Sequence, residues 1–481
     1  MKKYFIFLFT ALTASPVFGQ GFQVNFKAKG YTSGITYLTY YMGSNFNIAD
    51  STVILKDGSA VFKGTSKLQP GIYAIIFPGK QLRVEFLVDK EQVISVSADT
   101  SDLVNKTVVT GSKENILYDQ YQKFVGVKGR QMQQERRGYQ EAVTKADSLL
   151  HEKNYNIYNK ELNDYREGII KNQPNSMMAA LLTAMKEPPV PTKIPITKQD
   201  SINNYNEYKK HFWDGISFMD ERIIRTPFFL KKLERYYREV ISPEPDSIIK
   251  DVDYKLLLAR SAPEMYKFIL NWVTDEYINP KYMGQDAVFV HLFEKYHSKG
   301  SSPWLNETQM ESISRRAYML MANLIGEKAA NLDMLDTENK PTSLYKLEAD
   351  YTIVCFWDPN CGHCKEEVPR LDSIYRASWK NHNVKIFAVL TPDGKKDMRP
   401  DWVSFIKEKN IADWTHAYKS KEAEDAEFAS QKPGFRQLYD ITSTPTIYLL
   451  DKEKRIIGKK LTLLQLNDLL EIKWNKGPGS N

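Results

Sequence analysis

Cysteine is scarce in this chain. Three cysteines in 481 residues exclude a disulfide scaffold, which needs a denser and even set. Histidine is scarce as well, at seven, and none forms a pair with ligand spacing. His291 and His297 are six apart and do not share a helical face. Beyond the first twenty residues no apolar run approaches the roughly 20 residues that cross a bilayer. Charge of one sign is not in strong excess. The formal net charge is +7, with Lys and Arg interspersed among Asp and Glu, which fits a solvated mixed surface rather than a nucleic-acid stripe. There is no internal repeat and no low-complexity tract, so a solenoid or a disordered tail is not expected. A chain of 481 residues is too long for one compact core, so several domains are expected.

What is present begins with MKKYFIFLFTALTASPVFGQ. Lys2 and Lys3 form a positive start, Tyr4 to Ala14 a short apolar core, and Val17-Phe18-Gly19 a cleavage region. Residues 1–19 are therefore expected to be a cleavable signal peptide, with export to the periplasm. No cysteine follows the apolar core, so no lipid attachment is expected there.

Residues 20–110 alternate with period two, as in Val24, Phe26, Ala28 and again in Tyr73, Ile75, Phe77. Turn signals such as Asp57-Gly58 and Pro78-Gly79 recur about every ten residues, which predicts an all-β, sandwich-like domain. From Ser112 the period changes to that of helices, and 111–325 reads as an all-α region. Within it EPPVPTKIP, at 187–195, reads as a stiff proline-rich linker, and Ser261-Ala-Pro-Glu264 as a capping box. The aromatics of this region, among them Phe229, Tyr236 and Tyr237, read as core packing, with a peptide-binding surface as the alternative. From 326 strands and helices alternate. Thr352 to Trp357 is a continuous apolar run, as a strand buried on both faces requires.

Cys361 and Cys364 follow that run within FWDPNCGHCKEEVP. A structural zinc site needs a second ligand pair, which the sequence does not supply. A redox pair fits its surroundings. A strand followed by a short turn places Cys361 at a helix start, where unpaired N–H groups and the helix dipole stabilise a thiolate. Cys364 lies one turn further, within reach to resolve a mixed disulfide. Cys355, inside the apolar strand, reads as a small buried hydrophobe.

The stretch FWDPNCGHCKEEVPRL resembles the active-site motif of the thioredoxin superfamily, and in particular of the TlpA/ResA-like periplasmic thiol-disulfide oxidoreductases. The likeness spans roughly 326–474. It includes the lead-in GEKAANLDMLDTENKPTSL, Glu367-x-Pro369 after the cysteines, and Thr444-Pro445-Thr446, which is similar to the cis-proline segment of that family. The segment ending in GSKENILYDQYQKF resembles a β-domain of unknown function found ahead of such modules in Bacteroidetes proteins. The resemblance implies a multidomain chain whose residues 326–481 form an α/β thioredoxin fold. It implies a cis Thr444–Pro445 bond and substrate contacts from Trp357, Thr444 and Pro445. Cys355 stands where many thioredoxins carry a buried Asp, so Glu367 becomes the expected proton-handling acid, pointing inward on the face of Cys364. The Gly362-His363 dipeptide is similar to that of protein disulfide isomerase.

The function expected from these readings is a periplasmic thiol-disulfide oxidoreductase that reduces protein disulfides through Cys361 and Cys364. The alternatives are an oxidase or isomerase of disulfides, or a binding protein that uses the module as a scaffold. No P-x-x-x-T/S-x-x-C arrangement precedes Cys361, which sets peroxide reduction lower. The expected partners are disulfide-bearing exported proteins and a membrane electron donor, with no nucleic acid, no cofactor and no metal. Nothing in the pattern sets an oligomeric state.

Overall fold

The structure is a computed structural model that describes residues 21–475 apart from 192, 193, 393, 395 and 396. The expected signal peptide lies outside the described residues. The chain divides into two compact units. One holds the residues up to Ile241 together with Leu257–Phe268, and the other holds Ser242–Leu256 with Ile269 onward. The division falls inside the helices Pro245–Leu258 and Pro263–Tyr277. The helical region 111–325 is therefore shared between the two units.

In the first unit eight strands form two sheets. One is built from β1 (Phe22–Lys29), β4 (Ser59–Gly64), β7 (Val93–Asp99) and β8 (Val108–Thr110), in the order β4-β1-β7-β8. The other is built from β2 (Ile35–Met42), β3 (Asn45–Val53), β5 (Gly71–Ile76) and β6 (Arg83–Val88), in the order β3-β2-β5-β6. The alternating residues Val24, Phe26, Phe62, Ile75, Phe86 and Ile94 meet in one buried cluster, the inner layer of a sandwich. Two long helices follow, α1 (Lys113–Glu141) and α2 (Lys145–Asn172), which pair as a hairpin with Phe124 stacked on Tyr165 at 4.1 Å. The described residues of the proline-rich segment fall within this unit, and 192 and 193 lie outside the described residues. Phe229, Tyr236 and Tyr237 are buried. The capping box read at Ser261 does not form. Ser261 belongs to a short 3-10 turn, and the Glu264 N–H donates instead to Glu221 Oε1 at 2.9 Å.

The second unit is built on a five-stranded sheet. Its strands are β11 (Tyr351–Trp357), β12 (Val384–Leu390), β13 (Thr415–Ala417), β14 (Thr446–Leu450) and β15 (Ile456–Lys459). A small hairpin of β9 (Asp333–Leu335) and β10 (Pro341–Ser343) precedes it. The sheet order is β13-β12-β11-β14-β15, with β11 and β12 parallel and β14 antiparallel to β11. Residues of β11 alternate between two cores. Ile353, Cys355 and Trp357 join one cluster, and Val354 and Phe356 join the other, so both faces are covered. The helix α3 (Gly362–Ala377) places Cys364, Val368, Leu371 and Tyr375 on its buried side, and α4 (Leu463–Asn475) adds Leu466 and Leu470 to the same core. Thr462 opens α4 with a reciprocal cap: its N–H donates to Gln465 Oε1 at 3.0 Å, and its hydroxyl accepts from Gln465 N at 3.3 Å.

This unit also contains the helices Asp286–Leu292 and Glu307–Met321. They are tied to the sheet by a buried lysine. The Lys459 ammonium donates to Asp286 Oδ2, to the Asn323 carbonyl at 2.9 Å and to Asn323 Oδ1 at 2.8 Å, which uses all three of its N–H groups. Burial lowers the lysine's pKa, so the charge is held by these partners against desolvation. Asp286→Ala leaves that ammonium without its counter-charge. The expected cost is about 3–5 kcal/mol, read as a lower urea midpoint followed by tryptophan fluorescence. A midpoint equal to that of the parent chain would show that the pair does not hold the helices to the sheet.

Candidate active site

The end of β11 fixes the site. Pairing stops at Trp357, whose carbonyl accepts from Thr391 N at 2.8 Å. Asp358-Pro359-Asn360 then turns the chain. Asp358 Oδ1 accepts from Asn360 N at 2.8 Å, and the Asp358 carbonyl accepts from Cys361 N at 3.2 Å. Asn360 extends its side chain to Asp401 Oδ2 at 3.1 Å. This turn delivers Cys361 as the N-cap of α3, where its Sγ accepts from Cys364 N at 3.4 Å. The same sulfur lies 3.3 Å from the Thr444 carbonyl, to which the thiol donates. The Thr444–Pro445 peptide bond is cis.

The three cysteines are free thiols in different surroundings. Cys361 is partly exposed. Burial is the largest single influence on it and pushes its pKa up, but hydrogen bonds from the Cys364 backbone and thiol, the Thr444 side chain and the His363 backbone together hold it below the ordinary value. Cys364 is buried, and that burial pushes it up to about 12. Cys355 is wholly buried opposite Ala388 and Ile447, and burial raises its thiol strongly, with the Cys364 sulfur adding to the effect. Two thiols three residues apart are thus driven in opposite directions by environment alone.

Three expected site residues, Cys361, Cys364 and Thr444, come together, and Pro445 adjoins them. Two others are placed differently. Trp357 is 0% exposed and packs on Phe405 at 5.1 Å and on His416 at 6.5 Å. It is a core residue and cannot touch a substrate, because as the last residue of β11 it points into the cluster that Cys355 also fills. Glu367 does not point inward. The buried side of α3 is taken by Cys364 and Val368, and Glu367 falls at its margin, half-buried and ion-paired with Arg370. Its carboxylate lines a groove of about 510 Å³ with His363, Ser443, Pro445 and Thr446. The sequence reading missed Asp358 and Asn360, although Asp-Pro-Asn is a turn signal visible without the structure. His416 was missed too. It is buried beside Trp357 and Trp402, bonds the Ile411 carbonyl at 2.8 Å and is pushed down to about 4 by burial, so it is a neutral core group. Among the described residues no three His, Cys, Asp or Glu side chains converge as a metal site requires.

Strand order, the motif at a helix start and the cis proline beside it define a thioredoxin-like domain. Residues 325–458 match the model of the AhpC/TSA family. Residues 22–118 match one domain of unknown function, DUF4369, and residues 166–323 a second, DUF5106. Among curated proteins the chain is similar to the thiol-disulfide oxidoreductase ResA of Halalkalibacterium halodurans, with 33% identity over 64 residues, which is 13% of this chain. The chain spans about a third of that relative's length, at 36%. Among solved structures it is similar to a thioredoxin-like protein from Bacteroides caccae, with 22% identity, a TM-score of 0.44 and coverage of 60% of this chain and 98% of that one. It is also similar to the thioredoxin domain of a thiol-disulfide oxidoreductase from Bacteroides vulgatus, with 26% identity, a TM-score of 0.26 and coverage of 31% and 96%.

The thiolate is the reacting species, and a lowered pKa moves its appearance to lower pH. Iodoacetamide at about pH 7 is therefore expected to label Cys361 in the native reduced chain, with a rate that levels off below the ~8.5 midpoint of a free thiol. Cys364 and Cys355 are expected to stay unlabelled until the chain is unfolded. Peptide mapping by mass spectrometry reads the result, and equal labelling of Cys364 and Cys361 in the native state would contradict the assignment.

Proposed function

We propose that the chain is an exported thiol-disulfide oxidoreductase that reduces disulfides in other exported proteins, with Cys361 as the attacking thiol. The observation that carries this reading is the contrast between the two motif cysteines: one partly exposed with a lowered pKa, the other buried and pushed up to about 12. The location rests on the first nineteen residues of the sequence.

The reaction balances as follows. The Cys361 thiolate attacks one sulfur of the substrate disulfide, forming a Cys361–substrate bond and breaking the substrate S–S bond. The other substrate sulfur leaves as a thiolate and takes a proton. Cys364 then loses its proton and attacks Cys361 Sγ, which releases the second substrate thiolate and leaves a Cys361–Cys364 disulfide. Two electrons pass to the substrate, and a membrane-bound dithiol or equivalent donor restores the pair. Thr444 and Pro445 flank the attacking sulfur, where an extended substrate segment pairs with backbone. Glu367 does not face Cys364, so the part proposed for it in receiving that thiol's proton passes through water in the groove whose wall it lines.

Insulin reduction followed by turbidity tests the class. Cys361→Ala is expected to abolish it, and Cys364→Ala to accumulate mixed disulfides that non-reducing gels detect. Trapping by Cys361→Ala but not by Cys364→Ala would reverse the assignment. A strongly negative reduction potential for the pair is expected; a high one would favour oxidation or isomerisation.

Glu367→Gln is expected to slow the resolving step by roughly tenfold or more near neutrality, within the range of general-base effects, and to alter its pH profile. A profile identical to that of the parent chain would remove Glu367 from proton transfer.

A further inference from the structure

Two side chains from outside the thioredoxin-like domain hold the chain just ahead of Thr444. Arg316 and Asn323 fall within the match to DUF5106, at 166–323, and before the match to the AhpC/TSA model, at 325–458. The Asn323 side chain donates to the Leu438 carbonyl at 3.2 Å. The Arg316 guanidinium donates to Asp440 Oδ1 at 2.6 Å, to the Ile278 carbonyl at 3.2 Å and to Asn279 Oδ1 at 3.3 Å. Three acceptors around a planar fork hold it in one orientation.

Asp440 is the bridge between this helix and the site. Its side chain is 2% exposed. One carboxylate oxygen takes the bond from Arg316, on the helix Glu307–Met321, and the other takes a bond from Lys460 at 2.6 Å. Lys460 directly follows β15. The next residue, Leu461, donates its N–H to the Ile447 carbonyl of β14 at 3.1 Å. The segment from Asp440 to Ile447 is therefore tied at both ends to the same short stretch of chain. Between the ties Thr442 and Ser443 are exposed, and the Thr446 hydroxyl donates to the Ser443 carbonyl at 2.6 Å. Thr444, whose carbonyl lies 3.3 Å from Cys361 Sγ, sits within this span. It is four residues from the carboxylate, at most roughly 14 Å of chain. A buried carboxylate that loses one of its two cations keeps its desolvation cost, so it moves toward water or takes up a proton. Either response loosens the leading end of the segment.

We propose that Arg316 is a positioning residue of the candidate site, acting through Asp440 on the segment that carries Thr444 to Cys361. The region matched by DUF5106 thereby contributes to the geometry around the attacking sulfur. That this geometry serves catalysis rests on the oxidoreductase reading above. A pair that only braced the helix against the sheet would alter stability and leave the thiol unchanged.

The test is the pH dependence of Cys361 alkylation by iodoacetamide in the full chain. Arg316→Gln and Asp440→Asn release the same segment. Both are therefore expected to move the midpoint of that profile in the same direction, with the rate at about pH 6 changed about threefold or more. A charge effect through space acts oppositely in the two, because one substitution removes a positive charge and the other a negative one. Continued protection of Cys364 from the reagent shows that each variant is folded. Opposite movements, or midpoints equal to that of the parent chain, overturn the proposal. If Asp440→Asn does not fold, Arg316→Lys takes its place. The charge is then kept and the planar fork lost, so a moved midpoint supports the positioning role and the parent's midpoint overturns it. Alkylation needs no disulfide substrate, which separates the two readings. Failure of the parent chain to reduce insulin refutes the oxidoreductase reading and leaves the positioning role standing. Insulin reduction with unmoved midpoints refutes the positioning role alone.

Discussion

The burial of β11 on both faces is the constraint on which the second unit depends. Its seven residues carry no ionisable group except the Tyr351 phenol at one end and the Cys355 thiol. They sit between β12 and β14 and supply alternate side chains to two cores. A strand so enclosed has one free direction, out of its carboxyl end. The chain leaves there through a turn stitched by Asp358, and α3 begins where the turn closes. The distinct chemistries of Cys361, Cys364 and Cys355 follow from depth along this path. All three carry the same side chain; what differs is how much water and how many N–H groups each sulfur meets.

The opposite edge of the sheet answers to a different constraint. β15 is the last strand, and an exposed edge invites pairing with other chains. Here the edge is covered. Gly326 and Glu327 exchange backbone hydrogen bonds with Ile456, and the Lys459 N–H meets the Met283 sulfur at 3.3 Å. The buried Lys459 ion pair then anchors helices that the thioredoxin-like sheet alone does not need. A buried pair of this kind adds little net stability relative to an apolar contact, but it tolerates only one arrangement of its partners. Geometry is what it contributes.

Much of this was legible in the sequence because it rests on local pattern. Period-two alternation marked the strands of the first unit, and the apolar run before Cys361 marked β11. A helix start at Cys361 followed from the end of that run and the short turn expected after it. The misplaced residues share one cause. Trp357 was assigned to substrate by position next to the motif, but strand parity sends it inward with Cys355. Glu367 was assigned an inward direction by its three-residue spacing from Cys364, but the four-residue partner Val368 takes that place. Both errors concern direction rather than existence, and direction depends on a neighbouring element that no local pattern names. The division of the helical region was illegible for the same reason, since Asp286 and Lys459 are 173 residues apart.

The contact between Cys361 and the Thr444 carbonyl closes a loop of 83 residues. Holding two points that far apart in sequence costs an unfolded chain about 4 kcal/mol in closure entropy, an amount only the assembled sheet can offset. The two halves of the site therefore come into being together. Cys361, Gly362, His363 and Cys364 in a nascent or partly unfolded chain remain an ordinary dithiol, without the carbonyl beside the sulfur or the buried partner beneath it. The lowered pKa of Cys361 is thereby a property of the folded unit and not of the four-residue motif that carries it.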